Sequence, residues 1–209
     1  MKRIAVLIVT ILLSNILYAD EPAESELDAQ VQAFLQNHQH EWRDMNVPYA
    51  DGQVLYDLIV KNGYTRALEI GTSTGHSSIW IAWALSKTGG KLLTLEIDKE
   101  RREQALENFK EAGVDHLIDS RLGDAHEIVK ELDGPFDFVF SDADKDWYKQ
   151  YFIDLYPKLE PGGCFTAHNV RNAFGGIGEF LDYVREHPNM ETTIDKSSRS
   201  GVSISYKKK

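Results

Sequence analysis

Short apolar runs alternate with longer amphipathic segments over most of the chain. Five runs have the length and composition of buried strands: ALEIG (67–71), KLLTLEID (91–98), HLIDSRLGD (116–124), FDFVFSD (136–142) and GGCFTAHN (162–169). The segments after them repeat apolar residues at helical spacing and predict helices: HSSIWIAWALSKTGG (76–90), KERREQALENFKEAG (99–113), AHEIVKELDG (125–134), DWYKQYFIDLYPKL (146–159) and GIGEFLDYVREHP (176–188).

Two further helices and a hairpin complete the predicted fold. LDAQVQAFLQNHQHEWRDM (27–45) and DGQVLYDLIVKNG (51–63) precede the first strand, and the last 20 residues alternate in period two about a Ser/Gly turn. Strands that alternate with helices form right-handed βαβ crossovers. We therefore expect an α/β protein with a mostly parallel seven-stranded sheet, an antiparallel C-terminal hairpin and helices on both faces.

The N-terminus has a different pattern from the rest. Lys2 and Arg3 precede the apolar run Ile4–Leu13, and the stretch ends at Ala19, which is typical of a signal peptide over residues 1–19. The alternative is an uncleaved anchor, although Ile4–Ala19 is shorter than the ~20 residues of a full span. Both predict an exported protein or one held on the outer face of a membrane, and the N-terminal residue of the mature protein would distinguish them. We expect an acidic linker over 20–30 and a single domain over 31–209.

Charge and cysteine content exclude some functions. The formal net charge is −10, whereas nucleic-acid binding needs a basic face. We therefore expect no nucleic acid as partner; the small-molecule acceptor expected below comes from the family resemblance. Cys164 is the only cysteine in the sequence, so it cannot form an internal disulfide.

Residues that follow the predicted strands are the first candidates for a binding site, because ligands of such sheets bind beyond the carboxyl ends of the strands. Gly71 and Gly75 flank a tight turn that opens a helix, which allows close backbone approach to a ligand. Glu96 lies at the next strand end, where a carboxylate can accept both ribose hydroxyls. This pair favours an adenosine-type ligand. Asp124, with Ala125 and His126, could flank an adenine or could serve as a helix N-cap.

The stretch SDADKDWYKQY (141–151) follows the fourth strand and allows two interpretations. Its carboxylates could cap the next helix, a function that suits Asp144 or Asp146. Alternatively, the stretch forms the rim of a catalytic site: Asp142 ends a buried strand, and Lys145, three positions on, can face the same pocket.

These motifs together resemble those of class I S-adenosylmethionine-dependent methyltransferases. Among these, the chain is most similar to the small O-methyltransferases typified by catechol and caffeoyl-CoA O-methyltransferase. The resemblance covers residues 45–206 through MNVPYADGQVL, ALEIGTSTGHSS, LLTLEID, FDFVFSDADKDWYKQY and LEPGGCFTAHNV. It implies a Rossmann-like fold, S-adenosylmethionine as cofactor, a phenol or catechol hydroxyl as acceptor, and a homodimer, which is common in the family. The implied cofactor-binding residues are Met45, Asn46, Val47, Glu69, Gly71, Thr72, Ser73, Gly75, Ser77, Glu96, Ile97, Asp124, Ala125, His126 and Asp142.

The resemblance also implies a divalent-metal site and a catalytic base. It assigns Lys145 as the base, with Asp142, His168 and Asn169 as metal ligands. The family usually has Asp-Asn where this chain has His168-Asn169. Imidazole favours a transition metal such as Mn over Mg. The alternative is that no metal binds and that His168 acts as a base or a hydrogen-bonding group; chelation followed by metal add-back would distinguish the two.

Two other functions remain open at this point. The chain could be a non-catalytic S-adenosylmethionine-binding or scaffold protein that keeps the fold, since the metal pair is altered. It could also be a nucleotide-dependent oxidoreductase, which the absence of a middle glycine in the GTSTG turn disfavours. Cofactor titration with an activity assay separates these alternatives.

Overall fold

The computed structural model describes residues 25–42, 45–172 and 174–209. The predicted signal peptide or anchor lies outside these residues. Among the helices in the described ranges, none combines the length and apolarity needed to span a membrane.

Seven strands form one sheet in the order β3-β2-β1-β4-β5-β7-β6. Strands β1 to β5 pair in parallel, and β7 is antiparallel to both β5 and β6. This confirms the predicted α/β fold and the antiparallel hairpin. The strand bounds are β1 Arg66–Ile70, β2 Lys91–Glu96, β3 Ile118–Leu122, β4 Phe136–Ser141, β5 Leu159–His168, β6 Met190–Asp195 and β7 Val202–Lys207.

Seven α-helices cover the two faces of the sheet in the described part of the chain. Their bounds are α1 Glu26–Asn37, α2 Tyr49–Asn62, α3 His76–Thr88, α4 Lys99–Glu111, α5 Ala125–Glu131, α6 Tyr148–Leu155 and α7 Ile177–Glu186. Apolar residues of α5, α6 and α7 form one buried cluster with β1, β4 and β5. Those of α1, α2, α3 and α4 form the other clusters, in which Trp80 is fully buried.

Helix α1 differs from its prediction at both ends. It begins at Glu26, inside the expected linker 20–30, because Ser25 and Asp28 form a reciprocal capping box at its first turn. Residues 26–30 therefore belong to the helix. It ends at Asn37, although the apolar spacing suggested a helix as far as residue 45, and the backbone N–H of His38 closes its last turn.

The segment after β4 also departs from its prediction. A 3-10 turn at Lys145–Trp147 precedes α6, and a second 3-10 turn at Tyr156–Lys158 follows it. Pro157 lies within that second turn and has no N–H to continue an α-helix. Strand β5 then begins at Leu159, three residues before the predicted GGCFTAHN. The strand order changes direction between β1 and β4, so the loops after these two strands diverge and leave a crevice between them.

Candidate active site

The turn after β1 brings the backbone close to the end of β4. Gly71 has a φ of 97°, and a Cβ atom there would lie 2.7 Å from the backbone oxygen of Asp142. Gly75 has a φ of 98°, and its Cβ would lie 2.5 Å from the Phe109 ring. Only glycine fits this conformation and this spacing at both positions. The predicted glycine turn is therefore a close approach of the β1 loop to Asp142.

Glu96 ends β2 with its carboxylate held by the backbone. It accepts hydrogen bonds from the Ser73 N–H at 2.6 Å and the Asp98 N–H at 2.9 Å. Both donors are backbone groups fixed by the chain, so the Glu96 side chain has one orientation. A carboxylate has about four acceptor positions, which leaves capacity for further hydroxyl donors.

A cavity of about 460 Å³ opens at the carboxyl ends of β1, β2 and β4. Nine of the predicted cofactor-binding residues line it: Met45, Gly71, Ser73, Glu96, Ile97, Asp124, Ala125, His126 and Asp142. Leu95, Asp98, Arg101, Gly123, Ala143, Asp144 and Tyr151 complete the lining, and the sequence analysis did not single them out. Another cavity, of about 450 Å³, lies elsewhere beside Arg66 and Lys91, and none of the predicted site residues lines it.

The other six predicted cofactor residues lie behind this lining: Asn46, Val47, Glu69, Thr72, Gly75 and Ser77. Several of them brace the loops. The Asn46 amide donates to the Thr74 hydroxyl at 2.9 Å, and the Val47 carbonyl lies 2.8 Å from His76 Nδ1. The Thr72 hydroxyl lies 2.5 Å from that of Thr94.

Glu69 is a buried carboxyl beneath the glycine turn. Burial raises the pKa of Glu69 to about 7, although hydrogen bonds from hydroxyls, among them those of Ser78 and Thr94, oppose the shift. Thr94 Oγ1 donates to Glu69 at 2.6 Å, and the Ser78 hydroxyl is a second donor. These contacts tie β1, β2 and α3 together directly below the cavity.

The loop after β3 caps a helix and lines the cavity. Asp124 caps α5, because its side chain accepts the His126 N–H at 2.9 Å, and it also lines the cavity. The His126 ring stacks on Trp147, with centroids 3.7 Å apart and planes 17° apart. Asp144 accepts the Asp146 N–H, which is the capping expected of it. Asp142 has a different set of partners.

Asp142 and Lys145 come together with His168 at the edge of the cavity. Lys145 Nζ lies 2.5 Å from Asp142 Oδ1, and His168 Nδ1 lies 2.8 Å from Asp142 Oδ2. The other ring nitrogen of His168 lies 2.8 Å from Oδ2 of Asp51, a residue 117 positions away on α2. The Ser198 hydroxyl, in the turn between β6 and β7, also donates to Asp51 at 2.8 Å.

Asp51 and Ser198 are the site residues that sequence reasoning missed. Asp51 lies in the first turn of α2, where a carboxylate ordinarily interacts with the helix N-terminus in solvent. In the structure Asp51 is fully buried. No local pattern indicates that its partner is on β5.

The charges of this cluster shift the pKa values of its members. Burial alone would lower the pKa of His168, but the charge and hydrogen bond of Asp142, together with those of Asp51, raise it to about 9. Burial alone would raise the pKa of Asp142, yet His168 and Lys145 hold it below its ordinary value. The cluster therefore favours a protonated His168 beside an ionised Asp142.

The predicted metal ligands do not fit a divalent ion in this arrangement. A ligating imidazole needs a free lone pair directed at a metal about 2 Å away. Each ring nitrogen of His168 instead faces a carboxylate oxygen at 2.8 Å. Asn169 follows at the end of β5 with a φ of 59°. Within the described ranges, no cluster of three or more His, Cys, Asp or Glu side chains is arranged to hold a metal.

Comparisons with known proteins identify the family. A profile described as O-methyltransferase matches residues 20–195. The chain belongs to the O-methyltransferase family. A caffeoyl-CoA O-methyltransferase of Medicago sativa is 37% identical over 137 residues, which are 63% of this chain and 55% of that protein. A catechol O-methyltransferase of Niastella koreensis is 41% identical over 107 residues, 49% of this chain and 48% of that protein. The chain thus matches about half the length of these relatives.

Solved structures of O-methyltransferases share the fold. One from Bacillus cereus, in complex with SAH, has a TM-score of 0.75 and 27% identity, with 87% of this chain and 91% of that chain covered. TomG of Streptomyces achromogenes, involved in tomaymycin synthesis and solved with SAM, has a TM-score of 0.71 and 28% identity, with 89% and 91% covered. The resemblance inferred from the motifs is confirmed at the level of family and fold.

Proposed function

We propose that this protein is an S-adenosylmethionine-dependent O-methyltransferase that methylates a hydroxyl of a small phenolic acceptor. The observation on which this depends is the position of Asp142, which lines the cavity and also contacts Lys145. A cofactor site and a candidate base thus share one residue at the crevice between β1 and β4.

The cavity supports S-adenosylmethionine as the methyl donor. Its volume of about 460 Å³ lies within the range of small-molecule sites, about 300–1,000 Å³. Glu96 is oriented by two backbone donors and suits a ribose diol. Related O-methyltransferases have been solved with SAH (S-adenosylhomocysteine) and with SAM (S-adenosylmethionine). The six predicted residues behind the cavity lining would hold its loops in place.

Lys145 is the group that would take the acceptor proton. When bound, S-adenosylmethionine would supply a sulfonium methyl group; the acceptor oxygen would bond to the methyl carbon as the S–CH3 bond breaks, and SAH would leave. Lys145 in its amine form accepts the proton from the hydroxyl, and the ammonium that forms pairs with Asp142 at 2.5 Å. The backbone approach at Gly71 fixes Asp142, and hence Lys145, relative to the cofactor cavity, so alignment would supply much of the acceleration.

The acceptor would lie on the open side of Lys145, next to the loop after β5. A Cβ atom at Gly175 in this loop would lie 2.8 Å from Asp146 Oδ1, so the loop runs beside the turn that contains Lys145. Phe174 in the same loop is 77% exposed. An exposed aromatic ring in the loop beside the turn that contains Lys145 suits an aromatic acceptor, which would stack on it. Relatives named caffeoyl-CoA and catechol O-methyltransferases support the same class.

The test combines calorimetric titration of SAH with a methyl-transfer assay on a panel of phenols and catechols. We expect Lys145→Gln to lower kcat/KM by about 10²- to 10⁴-fold, the usual range for loss of a general base, with unchanged SAH affinity. Lys149→Gln is the matched control, since Lys149 pairs with Glu179 at 2.6 Å one helical turn further on.

The same experiments can contradict the proposal. If SAH binds but no acceptor is methylated, the proposed catalytic activity is wrong and the non-catalytic cofactor-binding alternative is favoured. Failure to bind SAH would overturn the proposal as a whole. Full activity of the Lys145→Gln variant would remove Lys145 from the mechanism.

A further inference from the structure

Four ionisable side chains from three parts of the chain form a continuous cluster: Asp51, His168, Asp142 and Lys145. His168 lies between the two carboxylates, at 2.8 Å from each, and Lys145 lies on the far side of Asp142. His168 is 3% exposed and Asp51 is fully buried. The cluster is therefore an internal structural unit, and only its Lys145 end has substantial contact with solvent.

The hydrogen-bond geometry specifies the protonation state of His168. An ionised carboxylate can only accept hydrogen bonds, and a neutral imidazole has a single N–H. With a carboxylate oxygen opposite each ring nitrogen, a neutral ring would leave one buried contact between two acceptors. Both nitrogens therefore donate, and His168 is an imidazolium with one positive charge.

This imidazolium places a positive charge beside Asp142 at the end of β5, where the family resemblance implies a metal ion. It contacts Asp142 from one side while Lys145 contacts it from the other, and it fixes the Asp142 carboxylate in one orientation. The same hydrogen bonds involve both ring nitrogens of His168 and an oxygen of Asp142, atoms that a metal would need as ligands. Asp51 balances the added charge and holds the ring, with the Ser198 hydroxyl donating to the same carboxylate.

We propose that His168, held between Asp51 and Asp142, is a resident cation that replaces the divalent metal of this site, so that the protein transfers methyl groups without a metal ion. This rests on the function proposed above. His168 and Asp51 are too buried to touch an acceptor, so both are positioning residues that act through Asp142 and Lys145.

A site without a metal should also differ in which acceptors it methylates. A catechol is favoured over a simple phenol at a metal site because its two adjacent oxygens can chelate one ion. Here a single hydroxyl at Lys145 is sufficient for the reaction. We therefore expect kcat/KM values for a catechol and for the corresponding monohydroxy phenol to agree within about fivefold, once the difference in their hydroxyl pKa values is accounted for.

The first test measures metal binding itself, without reference to activity. The full protein, dialysed against EDTA, is titrated with Mn²⁺ while electron paramagnetic resonance reports the free ion. We expect no binding by the wild type at concentrations up to about 100 µM, and no rise in its melting temperature with Mn²⁺. Binding of one Mn²⁺ per chain that is lost in His168→Gln would overturn the proposal.

A substitution can restore the carboxylate that the imidazolium replaces. His168→Asp should gain Mn²⁺ binding, whereas His116→Asp, at an exposed histidine, should not. A folded His168→Asp variant without Mn²⁺ binding would show that His168 is not what excludes the metal. If that variant does not fold, the wild-type titration decides alone.

The second test uses methyl transfer and separates this inference from the proposed function. Activity of the wild type should change by less than twofold in EDTA. Activity abolished by EDTA and restored by a divalent metal would overturn the inference while supporting the function. No activity under any metal condition would overturn the function, and the Mn²⁺ titration would still decide whether a metal binds.

Discussion

Glu96 shows how a single carboxylate can be oriented for binding by the backbone around it. Two N–H groups, from Ser73 and Asp98, hold it at the edge of the cavity, and its residue is only 7% exposed. The side chain therefore loses little conformational freedom when it accepts a ligand. Part of the binding free energy for a ribose is expected to come from this preorganisation.

We expect Glu96→Gln to weaken SAH binding by about 10- to 100-fold. Hydrogen bonds to a charged group contribute about 1.5–3 kcal/mol, and the amide cannot accept from both backbone donors and from the ribose as a carboxylate does. Isothermal titration calorimetry measures the change, with Glu100→Gln, an exposed residue on α4, as control. Equal affinities of the two variants would show that Glu96 does not contact the ribose.

The junction of β1 with β4 sets the position of the site among the elements. Gly71 ends β1 at the switch in strand order, where its backbone meets that of Asp142. Gly63 has a similar conformation, with a φ of 69°, but a Cβ atom there would meet nothing within 4 Å. Comparing alanine substitutions at these two positions therefore separates the free-energy cost of a side chain at positive φ from the further cost of a steric clash.

We expect Gly71→Ala to destabilise the protein by about 1–3 kcal/mol more than Gly63→Ala. Both substitutions place alanine at positive φ, which costs about 1–2 kcal/mol, but only the first forces a clash with β4. Urea denaturation of both variants gives the difference. Equal losses would indicate that the β1 loop can move away from Asp142, and SAH affinity should then be unchanged as well.

The His168 cluster connects distant parts of the whole molecule. Asp51 belongs to α2, His168 to β5, Asp142 to the end of β4 and Ser198 to the turn between β6 and β7. Helix α2, the ends of β4 and β5 and the C-terminal hairpin are joined through these contacts. Protonation of His168 should therefore affect the global free energy of unfolding.

We expect stability to fall as the pH rises from about 6.5 to 9. The pKa of His168 is raised from 6.5 to about 9 in the folded protein, so its contribution is fully present below 6.5 and is lost as the pH passes through 9. Each pKa unit corresponds to 1.36 kcal/mol, so the loss is about 3 kcal/mol. Wild-type and His168→Gln proteins are compared by urea denaturation over this range.

Comparing the wild type with His168→Gln removes the contributions of other titrating groups to the pH dependence of stability. Glu69, whose pKa is raised to about 7, titrates in the same range but is present in both proteins. The wild type should lose more stability than His168→Gln between pH 6.5 and 9. Parallel curves for the two proteins would show that His168 is not held as a cation.

The sequence by itself determined the order of elements, the sheet and three of its strand-end motifs. Apolar periodicity and glycine conformation are local properties, so they predicted the strands, the Gly71–Gly75 turn, Glu96 beside the cavity and the Asp142–Lys145 pair. The predicted helix 27–45 began within one residue of α1 but extended eight residues too far, and the linker expected over 20–30 was wrong from residue 26 on, because a capping box starts the helix there.

Only the tertiary structure decided how His168 is used. The family resemblance implied a metal ligand, with a base or a hydrogen-bonding group as the alternative; the sequence could not indicate Asp51 as a partner, because it lies 117 positions away. In the folded protein Asp51 of α2 is buried against the ring, and the Ser198 hydroxyl of the hairpin donates to Asp51. A buried charge requires a counter-charge, and folding brought that counter-charge from a residue 117 positions away.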